Sequence, residues 1–216
     1  MARAVRIALL DSGVDLGHPG IRGRGKVQVA VRVAEDGGVH EEPLCRDAIG
    51  HGTAVAATVL SHCPTAELVL VRVFADTATC SVRQLIAALQ YAAASGAHFV
   101  NASLGLTAIA EKQRITQAVA ELLATGARLL APATSNGMSC LPGSLSSVDG
   151  VVADGNVPRD SPVKQQVGTR SYWFANPNPP LGIPGLPPQR VFGDSLAVAN
   201  VTGKLAALFL TSSPAD

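Results

Sequence analysis

Short aliphatic runs recur along this chain, separated by longer stretches in which apolar residues return at helical spacing. That alternation limits the fold more than any other feature. Ala4–Leu10, Leu68–Phe74, Phe99–Leu104 and Ala127–Ala133 are apolar runs of strand length. A strand that is apolar on both faces is one covered on both faces, as in a parallel sheet between helix layers. Lys26–Val33 is β-branched and alternating, which reads as a further strand, and Val148–Ala153 is one more candidate. Gly52–Leu60, Ser81–Ala94 with Ser81 as N-cap, Ala110–Ala124 and a final stretch over Ser195–Leu210 read as helices. The expectation is an α/β fold of three layers, a mostly parallel central sheet flanked by helices, in one domain over residues 1–216. Gly37–Gly50 is polar and reads as a loop. Asn176–Gln189 holds six prolines in fourteen residues, too many for a helix or a central strand, so it is expected as an extended surface loop.

Composition narrows the function classes. Hydrophobic residues make up 47% and charged residues 15%, which indicates a packed globular protein rather than a disordered one. Aromatics are only 4%, so Ala, Val and Leu must build the core. A formal net charge of +1 supplies no field for nucleic acid or an anionic membrane, and neither is expected as a partner. The opening apolar run is too short for a signal peptide or a span, and a soluble, cytoplasmic protein is expected. Cys45, Cys63, Cys80 and Cys140 show no C-x-x-C spacing, so free thiols are expected and a zinc site is not. No acidic cluster resembles a calcium loop, and His40, His62 and His98 read as structural or solvated. No metal and no cofactor is expected.

Three short motifs fall at junctions between elements: Asp11-Ser12-Gly13 after the first strand, His51-Gly52-Thr53 opening a helix, and Gly193-Asp194-Ser195 opening the last helix. Separately, each reads as a turn or cap. Together they meet one chemical requirement. A serine hydroxyl is a poor nucleophile until a base takes its proton, histidine suits that task near neutrality, and a buried carboxylate fixes the imidazole tautomer. In an open parallel sheet, strand ends and helix starts gather along one edge, where sites form.

These motifs resemble those of the subtilisin-like serine peptidases. Ile7 to Asp15 followed by His18-Pro19 is similar to the family's aspartate motif, His51 to Ala56 to its histidine motif, and Gly193 to Ala197 to its serine motif. The resemblance covers nearly the whole chain. It implies a subtilisin-like fold, an Asp11, His51 and Ser195 triad, and peptide or protein substrates. Asn101 to Gly105 is similar to the strand that pairs with substrate, which puts Ser103, Leu104 and Gly105 in the binding groove. Ala133 to Gly137 is similar to the segment that ends in the oxyanion-hole asparagine. That makes Asn136 an oxyanion donor alongside the Ser195 N–H, with Ala133, Thr134 and Ser135 lining the pocket before the scissile bond. Thr134 and Ser135 predict a shallow pocket that favours small or polar residues over aromatics.

The pattern also departs from the family. Asp194 stands where threonine is usual, Ala54 and Ala57 replace a histidine and a glycine, Ser135 replaces a glycine, and Ala199-Asn200 replaces a Pro-His pair. A carboxylate at Asp194 is expected to oppose the oxyanion and to raise the histidine pKa, unless Arg170 or Arg190 neutralises it. The chain is short for the family and shows no obvious pro-segment, which fits a dedicated intracellular task such as maturation of a precursor peptide. Three functional readings share these residues: an endopeptidase working through an acyl-enzyme, a transpeptidase, and an impaired subtilisin fold that only binds peptides.

Overall fold

The computed structural model describes residues 4–107, 109–186 and 191–212. Its centre is a nine-stranded sheet. In chain order its strands are β1 (Arg6–Asp11), β2 (Lys26–Val33), β3 (Val39–Glu41), β4 (Glu67–Arg72), β5 (Phe99–Ala102), β6 (Arg128–Pro132), then β9 (Asp149–Ala153), β10 (Val163–Val167) and β11 (Arg170–Ala175). A two-stranded hairpin, β7 (Thr134–Ser135) and β8 (Met138–Ser139), lies apart from the sheet. The helices are α1 (His51–His62), α2 (Val82–Ala94), α3 (Lys112–Leu123) and α4 (Asp194–Thr211).

The strand order is β10-β11-β9-β6-β5-β1-β4-β2-β3. Every pairing from β2 across to β11 is parallel, and only the two edge strands, β3 and β10, run antiparallel. Strand β1 is central because it is apolar on both faces. Ile7 and Leu9 point into a core layer with Val55, Val59 and Leu60 of α1 and Leu196 and Val198 of α4. Ala8 and Leu10 point the other way, into a layer with Leu85 and Leu89 of α2 and Ile115 and Val119 of α3. The period-two alternation of a strand makes that division automatic.

Helix α2 starts as its sequence suggests. The Ser81 hydroxyl accepts from the Gln84 N–H at 3.1 Å, while the Gln84 side chain accepts from the Ser81 N–H at 2.9 Å, a reciprocal capping box. Helices α1 and α4 pack closely because Gly203 has no side chain; a Cβ there would lie 2.8 Å from the Val59 carbonyl and 2.9 Å from His62 Cβ. Asn200, one of the departures from the family pattern, is fully buried in this layer. Its amide donates to the carbonyls of Asn176 and Asn178, and its oxygen lies 3.0 Å from His62 Nε2. Burial holds the His62 pKa below the ordinary histidine value.

Three features differ from the sequence expectation. The polar stretch after β2 contributes the edge strand β3. The pair β10 and β11 was not anticipated, and its outer strand is almost wholly exposed. The proline-rich segment is not merely a surface loop. Ile183 and Leu186 are buried in the α1–α4 layer, and Ile183 packs near Gly20 and Ala57. Pro187, Pro188 and Gln189 of that segment, with Arg190, lie outside the described residues. No helix among the described residues is long and apolar enough to cross a membrane.

Candidate active site

The sheet's strand order reverses direction at β1, and the carboxyl ends of β1 and β5 meet there. A crevice at such a point is where open α/β sheets place their ligands. Asp11 is the last residue of β1, His51 the first of α1, and Ser195 the second of α4. His51 and Ser195 line one cavity of about 370 Å³. Asp11 lies behind His51 and is 2% exposed.

The imidazole Nδ1 of His51 is 2.7 Å from Asp11 Oδ1. The same oxygen accepts from the Ser12 N–H at 2.8 Å, while Asp11 Oδ2 is buried without a hydrogen-bond partner among the described residues. Burial works to lower the His51 pKa. The hydrogen bond and charge of Asp11, with the charge of Asp47 behind them, outweigh it and leave the pKa above the ordinary histidine value. Asp194 is not among the groups that set it, so the expected effect of Asp194 on His51 gives way to that of Asp47. The Phe74 ring meets His51 edge-on, with centroids 6.2 Å apart.

Two glycines explain why the motifs read Asp-Ser-Gly and His-Gly-Thr. Gly13 has φ +101°, and a Cβ there would lie 2.2 Å from the Arg46 carbonyl oxygen. A Cβ on Gly52 would lie 2.1 Å from the Gly13 carbonyl oxygen and 3.0 Å from Asp11 Oδ1. Gly52 lets the start of α1 press against the end of β1, which brings His51 to Asp11, and Gly13 lets the chain leaving β1 pass the Arg46 carbonyl.

Sequence reasoning missed Asp47. Helix α1 begins after Gly50, which has no side chain to cap it. Its orphan N–H groups are satisfied from elsewhere. Asp47 accepts from the N–H groups of Ile49, Gly50 and Thr53 and from the Thr53 hydroxyl. The Ser12 hydroxyl accepts from the Gly52 N–H at 2.8 Å and has Asp47 Oδ1 at 2.8 Å and Asp11 Oδ1 at 3.2 Å. Its single proton favours the nearer Asp47. One network thus caps the helix that carries His51 and braces the strand end that carries Asp11. The available signal was a carboxylate four residues before the histidine, ahead of a helix without a capping side chain.

The structure places the other expected site residues unevenly. Ser103, Leu104 and Gly105 line the cavity. The chain there is held by a two-way backbone pairing of Leu106 with Leu141, each bond 2.8 Å. Of Ala133, Thr134 and Ser135, only Ser135 lines the cavity; Ala133 is buried, and Thr134 pairs with Ser139 in the β7–β8 hairpin. Asn136 and Gly137 form the hairpin turn, with φ of 50° and 76°. Asn136 is exposed, next to the cavity wall rather than on it. Among the described residues its amide makes no hydrogen bond, so it is free to donate. With Asp194, the residues Phe74, Ala78, Thr79, Cys80, Leu106 and Pro132 complete the lining, and these six were not anticipated. They follow β4 or extend β5 and β6 at the same sheet edge.

The Ser195 hydroxyl donates to the Ser103 carbonyl at 3.3 Å. Among the described residues that hydroxyl makes no hydrogen bond to His51. The four cysteines are free. Burial raises the thiol of Cys80 to about 11. The Cys140 thiol is likewise raised to about 11, by burial and then by the charge of Asp194.

A parallel sheet covered on both faces, with an aspartate, a histidine and a serine gathered at its carboxyl edge, defines a class of α/β proteins equipped for nucleophilic serine chemistry. The chain belongs to the subtilase family, whose description matches residues 2–213. It is 32% identical over 142 residues to alkaline elastase YaB of Bacillus sp. (strain YaB), a stretch covering 62% of this chain and 34% of that protein. The match to subtilisin Savinase of Lederbergia lenta is 34% over 110 residues, covering 47% of this chain and 37% of the relative. The chain therefore matches only about a third of the length of these relatives. Among solved structures, the prenylagaramide maturation protease PagA superposes with a TM-score of 0.69 at 25% identity, covering 94% of this chain and 74% of the other. Sphericase superposes with a TM-score of 0.70 at 24% identity, covering 96% and 77%.

Proposed function

We propose that this protein is a serine endopeptidase that cleaves through an acyl-enzyme. The observation that carries the reading is the 2.7 Å contact of His51 Nδ1 with a buried Asp11 oxygen, in a cavity that His51 shares with Ser195. Asp11 holds the proton on Nδ1 and leaves Nε2 as the base. Ser195 turns from the Ser103 carbonyl, gives its proton to Nε2 and attacks the peptide carbonyl. The tetrahedral oxyanion is met by the Ser195 N–H, in the first turn of α4, and by the free amide of Asn136. His51 then returns the proton to the leaving amine, and water resolves the ester.

On this reading the substrate is a precursor peptide matured inside the cell, and residues 1–216 act as one cytoplasmic domain. The likeness to PagA, a maturation protease by its description, supports the substrate class. The test is a fluorophosphonate. A single adduct located on Ser195 is expected, and no adduct in folded protein overturns the reading. Product masses separate hydrolysis from transpeptidation, since an amine in place of water leaves its own mass on the acyl fragment.

Asp47 gives a second measurable outcome. Its negative charge favours the imidazolium of His51. Asp47→Asn removes that charge, so His51 loses its proton at lower pH. The acidic limb of kcat/KM is expected to move to lower pH. Asp47→Ala also removes the acceptor that caps α1, at a cost of about 1 kcal/mol of stability in thermal unfolding. An acidic limb unchanged in Asp47→Asn would exclude Asp47 from the electrostatics of the site.

A further inference from the structure

Asp194 is the first residue of α4, adjacent to Ser195, and lines the cavity. Its surroundings are largely uncharged: Phe74, Ala78, Leu104, Leu106 and Pro132 share the wall. The residue is half-buried, and withdrawal from water raises its pKa above the ordinary aspartate value. Among the described residues its carboxylate forms no ion pair and accepts no hydrogen bond. Arg170, one of the two counter-charges the sequence offered, is engaged elsewhere. Its guanidinium donates to the carbonyls of Gly143, Ser144, Leu145 and Val148. Arg190, the other, lies outside the described residues. His51 can become a cation in the same cavity, but its partners are Asp11 and Asp47.

The charge of Asp194 also reaches beyond its own helix. It is felt at the Cys140 thiol. That sulfur sits against Gly105, where an added Cβ would meet it at 2.4 Å. Asp194 thus shares one cavity with Gly105, Pro132 and Ser135 as well as with His51 and Ser195. The resemblance to the subtilisin-like peptidases implies that the wall formed by Gly105 and Ser135 receives the side chain that precedes the scissile bond. A carboxylate half withdrawn from water and without a counter-ion favours a ligand that brings the missing cation. Lysine and arginine are suited to it, because their methylene stems can lie along Leu104 and Leu106 while the charged end reaches the carboxylate.

We propose that Asp194 makes this cleft selective for a lysine or arginine immediately before the scissile bond. The inference rests on the serine-peptidase reading and sharpens the polar preference expected from Thr134 and Ser135 into a cationic one.

The experiment uses peptidyl phosphonates that differ only at that position, carrying arginine, its neutral isostere citrulline, or norleucine. The second-order rate of inactivation is measured for each. The arginine compound is expected to react about 10- to 100-fold faster than the citrulline compound, the range for a hydrogen bond to a charged group. Asp194→Asn should bring that ratio close to one, and Asp194→Glu should keep it well above one. A wild-type ratio near one overturns the inference, as does a high ratio that survives Asp194→Asn. A ratio that appears only in Arg190→Gln overturns it too, because Arg190 would then be the native partner. A non-peptidic fluorophosphonate serves as the control. If it fails to label Ser195 in the wild-type protein, the peptidase reading falls and takes this inference with it. If it labels while the ratio stays near one, only the inference falls.

Discussion

Ser195→Ala and His51→Ala are each expected to lower kcat by about 10⁶, and the double variant is expected to lose no more than either single one. The size is the one known for subtilisin, a member of the same family. Equality of the three losses follows from the chemistry. Ser195 and His51 act in one proton transfer, so removing either leaves the other without a task. The hydroxyl without a base is a weak nucleophile, and the base without a hydroxyl has no proton to take. The residual rate should reflect binding and the oxyanion donors, which neither substitution touches. Turnover of a peptide substrate by the three variants, with active-site titration to exclude wild-type contamination, checks the result. Losses that multiply in the double variant would mean that the two residues act independently. The protein would then not be using a serine–histidine couple.

What the sequence could and could not reveal follows from where each residue sits. The strands β1, β5 and β6 were legible because they are buried on both faces, and an unbroken aliphatic run has few other uses. The helices α1 and α4 were legible for the same reason. Strand β10 was not, because Lys164, Gln165 and Gln166 pair on one side only and face water, so nothing in their composition marks a strand. Its neighbour β11 carries Tyr172, Trp173 and Phe174 and did offer a signal. The proline count correctly ruled out regular structure near residue 180. It concealed Ile183 and Leu186, two apolar residues beside glycines of positive φ, which turn inward to the core. The side chains of the site were legible as motifs because glycine and polar residues at element junctions are unusual combinations. Their support was not read, because Asp47 lies in a polar loop and acts through backbone N–H groups, and its only mark in the sequence is a carboxylate four residues before His51. Asn136 shows both halves of the problem. Turn chemistry reads Asn-Gly as a hairpin turn and the resemblance reads it as an oxyanion donor. The turn is present in the fold, and the amide it leaves free is the group the second role requires.

Asp11→Ala is expected to lower kcat by about 10⁴, less than the loss at Ser195 or His51, because the couple survives and only its support is gone. Asp11→Asn separates two parts of that support. Oδ1 of Asp11 accepts from the Ser12 N–H and faces His51 Nδ1, while Oδ2 is buried without a partner. An asparagine that placed its NH₂ group at the Oδ1 position would confront the Ser12 N–H donor. The amide oxygen is therefore expected there, which keeps the proton on Nδ1 and leaves Nε2 as the base. The NH₂ group then occupies the Oδ2 position, and the negative charge is lost. Asp11→Asn should thus retain more activity than Asp11→Ala. Both variants should move the acidic limb of kcat/KM to lower pH, since the hydrogen bond and charge of Asp11 raise the His51 pKa against the effect of burial. pH–rate profiles of the two variants decide the matter. Equal damage in both would mean that the amide has turned its NH₂ group to Nδ1 and forced the proton onto Nε2. An unmoved limb would mean that Asp11 does not govern the charge on His51, and the assignment of Asp11 as its partner would fail.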